Sequence, residues 1–112
     1  MKVNILGTEY TVIHRKESED AKLEGNDGYC DSSTKTIVIL EWEDDVMNKG
    51  NMKTFEKQVL RHEITHAFLS ESGLEASAGK PRGSWAHNEE MVDWFAIQSP
   101  KMIKAFEEAG AL

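Results

Sequence analysis

The sequence predicts an α+β fold, with its strands in the first 40 residues and its helices in the remainder. Two observations carry this. Runs rich in β-branched residues, separated by turn residues, are confined to the N-terminal third, whereas from Asn51 onward the apolar residues recur every three or four positions. With 112 residues, 39% of them apolar, the chain is sized for one domain with one modest core.

The elements follow in order. "KVNIL" (2–6) and "EYTVIH" (9–14) flank Gly7-Thr8 and predict a hairpin. The charged stretch "RKESEDAKLEGNDG" ends in turn formers and predicts a solvated connector. "KTIVILEW" then gives the clearest strand, near 35–40. The acidic run "EWEDD" (41–45) predicts a solvated turn into the first helix. That helix spans "NMKTFEKQVLRHEITHAFLSES", with Phe55, Val59, Leu60, Ile64, Ala67 and Phe68 forming its apolar pattern and Gly73 closing it. "LEASAGKPRGSW" predicts a loop, in which Lys80 and Arg82 are solvated cations. Asn88 caps a second helix carrying Met91, Val92, Phe95 and Ala96, and Ser99-Pro100 begins a third that runs to about Ala109. Trp94 is expected in the core, and Trp85 is the better aromatic for substrate contact.

Composition narrows the function. A net charge of −7 and a pI near 5 disfavour a surface that grips nucleic-acid phosphates or an anionic membrane. No stretch approaches the roughly 18 apolar residues of a membrane span, and "MKVNILGTEYTV" lacks the apolar run of about 7–15 residues found in a signal peptide, so the expected location is the cytoplasm. Cys30, the one cysteine, reads as a small buried hydrophobe.

The chemistry concentrates in "RHEITHA" (61–67). On a helix, positions i and i+4 lie about 40° apart around the axis, so His62 and His66 can aim two imidazoles at one point. Two neutral imidazoles reach a Zn²⁺ ion at roughly 2.0–2.1 Å, and Glu63 beside the first is angled toward a water on such an ion. Zinc lowers the pKa of its water from near 16 to about 7, and a carboxylate within reach can take the remaining proton as the water attacks an amide carbonyl. A catalytic zinc ordinarily has three protein ligands, and "HNEEMVDWFA" offers the third. If Glu89 is that ligand, Asp93 lies one turn on, able to accept the second N–H of a bound histidine; otherwise Asp93 is a surface acid near a helix start. His87 is an oxyanion donor, a ligand competing with Glu89, or a surface histidine.

"HEITH", followed 23 residues after His66 by "EEMVD", resembles the gluzincin branch of the zincin metallopeptidases. In that branch a helical H-E-x-x-H supplies two ligands and the glutamate of a downstream E-x-x-x-D supplies the third, which here falls on Glu89. From about Gly28 onward the chain is also similar to small zincin-like proteins encoded by phages and prophages, distant relatives of ImmA/IrrE-type peptidases. The resemblance implies a minimal zincin-like fold: a small twisted sheet packed on the active-site helix, with the last strand at the sheet edge and two further C-terminal helices closing the site. It implies a zinc-dependent peptidase acting on a peptide or protein substrate, in the bacterial host cytoplasm for a phage-encoded protein. Larger gluzincins often carry a histidine or tyrosine for the oxyanion; here the tyrosines are Tyr10 and Tyr29, both upstream, and His87 is the one later histidine. Two rival functions stand beside this one: a zinc-binding but non-catalytic regulatory or interaction module, and a metal-free helical interaction domain.

Overall fold

The computed structural model describes residues 1–43, 45, 48–78 and 84–112. Lys80, Arg82 and Asp44 of the acidic run therefore lie outside the described residues, while Glu41, Glu43 and Asp45 are exposed. The architecture is α+β. Strands β1 (Lys2–Ile5), β2 (Thr8–Arg15), β3 (Gly28–Asp31) and β4 (Thr36–Leu40) form one sheet, and helices α1 (Met52–Glu71), α2 (Leu74–Ser77) and α3 (Glu89–Glu108) follow. The sheet order is β1-β2-β4-β3, with β2 and β4 parallel and the outer pairs antiparallel.

The expected hairpin is present. Leu6 (φ 50°) and Gly7 (φ 91°) both have positive φ, the requirement of a type I′ connection, and Asn4 Oδ1 accepts the Gly7 N–H at 2.8 Å. The connector after β2 forms two short 3-10 turns and buries Leu23, so it is not wholly solvated. Two strand expectations need correction. Residues 28–31 form a strand that the sequence reading omitted, because four residues containing Gly and Asp carry little β signal of their own. Consequently the last strand, β4, is interior, and β3 is the edge.

Alternation along the strands sets one face of the sheet against α1. Register places Val12 beside Ile37, Cys30 beside Ile37 and Gly28 beside Ile39, so these residues share that face with Ile5 and Tyr10. The buried core joins Ile5, Tyr10, Val12, Ile37 and Ile39 to Val59 and Ala67 of α1, with Phe55, Leu60, Ile64, Cys30 and Trp42 packed around it. Trp42 meets Phe55 edge-to-face, at 5.3 Å between ring centroids. The far end of α1 is tied down by Glu71, whose carboxylate accepts from Lys35 Nζ (2.6 Å), Tyr10 Oη (2.7 Å) and Thr8 Oγ1 (3.1 Å). Those hydrogen bonds, Lys35's first, hold the Glu71 carboxyl below its usual pKa.

Asn51 caps α1 by accepting the Thr54 N–H, and Gly73 (φ 83°) ends it as expected. Two helices follow α1, but their boundaries differ from the sequence reading. The first is the short α2, in a segment expected to be a loop. The second, α3, passes through Pro100 without interruption, although Ser99-Pro100 was expected to start a new helix. Proline removes the N–H that would bond the carbonyl four residues earlier, that of Ala96. Here Arg61 Nε donates to the Ala96 carbonyl at 2.6 Å, so the carbonyl freed by the proline is satisfied. Trp94 is 51% exposed rather than part of the core, since Val92 and Ala96 define the buried side of α3 and Trp94 lies about 200° around the axis from Val92.

Candidate metal centre

The apolar stripe of α1 contains a carboxylate. Val59, Glu63 and Ala67 follow at four-residue intervals and all are buried, so Glu63 points inward and is 6% exposed. His62 and His66 are one residue before Glu63 and Ala67, which turns them toward α3 at the edge of the core. From α3, Glu89 occupies the first helical position, held there by Asn88, whose Oδ1 accepts the Met91 N–H at 2.9 Å.

The ligand-type atoms converge. His62 Nε2 and His66 Nε2 stand 3.0 Å apart, His62 Nε2 is 3.1 Å from Glu89 Oε2, and His66 Nε2 is 3.2 Å from Glu89 Oε1. Tetrahedral ligand atoms about 2.0–2.1 Å from a common ion are separated by roughly 3.3–3.4 Å, close to the triangle drawn by this chain. The donor chemistry agrees. His62 Nδ1 is 2.7 Å from Asp93 Oδ1, and because an ionised carboxylate can only accept, Nδ1 carries the proton. In the neutral ring that leaves a lone pair on Nε2, the atom nearest His66 and the Glu89 carboxylate. Burial lowers the pKa of His66, which favours the neutral imidazole a metal requires. Each of the three side chains offers one ligand-type atom and these lie within 4.8 Å of one another, so His62, His66 and Glu89 form a group that can hold a metal ion.

Glu63 Oε1 lies 4.0 Å from His62 Nε2, beside this group. Burial is the main cause that raises its carboxyl to about 7; the imidazole of His62 opposes the rise, and Glu89, Asp27 and Asp93 add to it. A carboxyl near 7 can take up and return a proton at neutral pH. Glu89 and Asp93 are largely exposed (65% and 61% of their side chains), so one side of the group opens to solvent.

A cleft of about 380 Å³ lies over the group, bounded by His62, Glu63, His66 and Glu89, by the edge strand at Gly28, Tyr29 and Cys30, and by Glu75 of α2. His87 lines the same cleft, but its ring nitrogens are outside the converging set of ligand atoms. Glu90 is exposed on α3. Trp85 is 57% exposed and is not among the cleft-lining residues, whereas Cys30 is half-buried and its thiol is pushed up to about 12, chiefly by burial. Glu75 escaped the sequence reading. It reaches the cleft because the positive φ of Gly73 turns the chain back after α1, and nothing in its local spacing signals that position.

Among the described residues no helix is long and apolar enough to cross a membrane. No protein-family model, curated protein or solved structure matches the chain.

Proposed function

We propose that the chain is a zinc-dependent metallopeptidase of the gluzincin type, hydrolysing peptide bonds in peptide or protein substrates in a bacterial cytoplasm, as the phage-like resemblance implies. One observation carries the reading: two histidines and a glutamate from separate helices converge on a single point, with a buried carboxylate beside them and an aspartate fixing the tautomer of one histidine. A site built only to stabilise the fold would call for a fourth protein ligand and would have no use for Glu63.

His62, His66 and Glu89 would hold the zinc ion, which when bound polarises a carbonyl and acidifies a water. Asp93 keeps the Nδ1 proton of His62 in place, so that Nε2 stays available as a donor atom. Glu63 accepts a proton from the attacking water and returns it to the leaving amine nitrogen, a transfer matched to its carboxyl near 7. A bound cation would lower that value, strengthening the base side of the exchange. The free edge of β3, along one wall of the cleft, suits a substrate bound in extended form by main-chain hydrogen bonds.

The test combines metal analysis with hydrolysis of a mixed peptide library followed by mass spectrometry. Wild type should carry one zinc per chain and cleave peptides; His66→Ala should lose the zinc; Glu63→Gln should keep it while losing about 10²–10⁴-fold in rate. Full activity in Glu63→Gln would sink the mechanism, and a wild type without stoichiometric metal would sink the site.

A further inference from the structure

We propose that Arg61 is a positioning residue for the metal group, fixing the distance between the histidine-bearing and carboxylate-bearing helices through its hydrogen bond to Ala96. The inference rests on the reading that His62, His66 and Glu89 bind a metal. Three facts combine to support it. Pro100 deprives the Ala96 carbonyl of its helical donor, and Ala96 is only 1% exposed, so solvent has little access to replace that donor. The guanidinium supplies it from 35 residues away, at 2.6 Å, as a charge-assisted bond. And the bond joins the helices beside the site: Arg61 immediately precedes His62, while Ala96 lies almost in line with Glu89, two turns further along α3, with Asp93 between them.

Glu89 and Asp93 are largely exposed, so packing around their own side chains does little to fix them, and their position follows that of α3 against α1. Among the described residues no carboxylate lies within ion-pair distance of Arg61, and its guanidinium is tied to α3 through the hydrogen bond to the Ala96 carbonyl. A proline inside α3 and an arginine before the first histidine, unrelated in sequence, thus form a single cross-helix clamp.

The test separates clamping from satisfaction of the carbonyl. In Pro100→Ala, the new N–H at position 100 can bond the Ala96 carbonyl within α3. Arg61→Ala should lower the melting temperature of the metal-free protein, weaken Zn²⁺ binding about tenfold in a chelator competition, and alter the visible spectrum of bound Co²⁺. Arg61→Lys, which retains a cationic donor, should restore most of the affinity. The decisive variant is Arg61→Ala with Pro100→Ala. It should recover the melting temperature, because the carbonyl is satisfied, yet remain about tenfold weak for Zn²⁺, because the clamp is gone. This double variant also serves where Arg61→Ala alone does not fold. Wild-type zinc affinity and Co²⁺ spectrum in the double variant would overturn the inference while leaving the metal site intact. Wild type and His66→Ala binding Zn²⁺ alike would instead overturn the metal site, and the inference with it.

Discussion

Gly28 gives the sharpest test of how the fold shapes the cleft. A Cβ placed there would stand 2.8 Å from the Val38 carbonyl oxygen, 3.2 Å from Val59 Cγ1 and 3.4 Å from Ile39 Cδ1. The nearest atom is backbone and cannot rotate away, so in Gly28→Ala the edge strand β3 must move off β4 and α1. Overpacking of this kind costs about 1–3 kcal/mol, and a clash with an immobile atom belongs in the upper half of that range. The alanine recovers about 0.5–1 kcal/mol of backbone entropy, which leaves a net loss of roughly 2 kcal/mol. For 112 residues, at about 2.1 cal/mol/K each, the unfolding entropy is roughly 0.24 kcal/mol/K, so the melting temperature should fall by about 8 °C. Gly50 is the control, with nothing within 4 Å of its built Cβ; Gly50→Ala should leave stability unchanged or raise it by up to ~1 kcal/mol. Calorimetry of the two variants decides the matter. A Gly28→Ala melt within about 2 °C of wild type, or equal to that of Gly50→Ala, would refute the claim that close packing at Gly28 sets the cleft wall.

Other perturbations probe the supports of the site. The Glu71 carboxyl is held below its usual 4.5, so its contribution to stability is present above that pH and is lost as pH falls through the lower, folded value. Acid melts of Glu71→Gln should therefore lack part of the wild-type decline below about pH 4.5, and identical acid limbs would remove Glu71 from the account. Asn88→Ala should cost about 1 kcal/mol through loss of the α3 cap and should also weaken zinc binding, because Glu89 follows the cap directly; a loss of stability with unchanged affinity would show that the cap does not place the ligand. Zinc at 100 times its dissociation constant should stabilise the wild type by about 2.7 kcal/mol and His66→Ala hardly at all, an outcome read from paired thermal melts.

What the sequence made legible was local. The i, i+4 spacings of His62 with His66 and Glu89 with Asp93 are properties of a single helix, and the structure brings the ligand-type atoms of the first pair and Glu89 together. The hairpin could be read for the same reason, since its turn chemistry lies within two residues. Features that depend on distant partners were not legible. Strand β3 is short and holds its place through β4. The carbonyl that Pro100 frees in α3 finds its donor on an arginine in another helix. Trp94 was misread although the signal was available: Val92 and Ala96 already marked the inner side of the helix, and a large apolar residue on the opposite side is compatible with solvent.

The parallel pairing of β2 with β4 has a consequence for how the cleft stays open. The sheet consists of two antiparallel hairpins, β1-β2 and β3-β4, each closed by a short turn, and joined along one seam where Val12 faces Ile37 and His14 faces Ile39. Because the turn fixes β3 to β4, an error at the seam moves both strands as a unit. A slip of one residue would turn Ile37 and Ile39 away from α1 and exchange the faces of β3, bringing the ring of Tyr29 to the side where Gly28 now leaves room beside Val59. The isoleucines buried at this seam therefore do more than fill the core: by penalising the shifted pairing, they keep a residue without a side chain at the one point of the edge strand that packs against Val59.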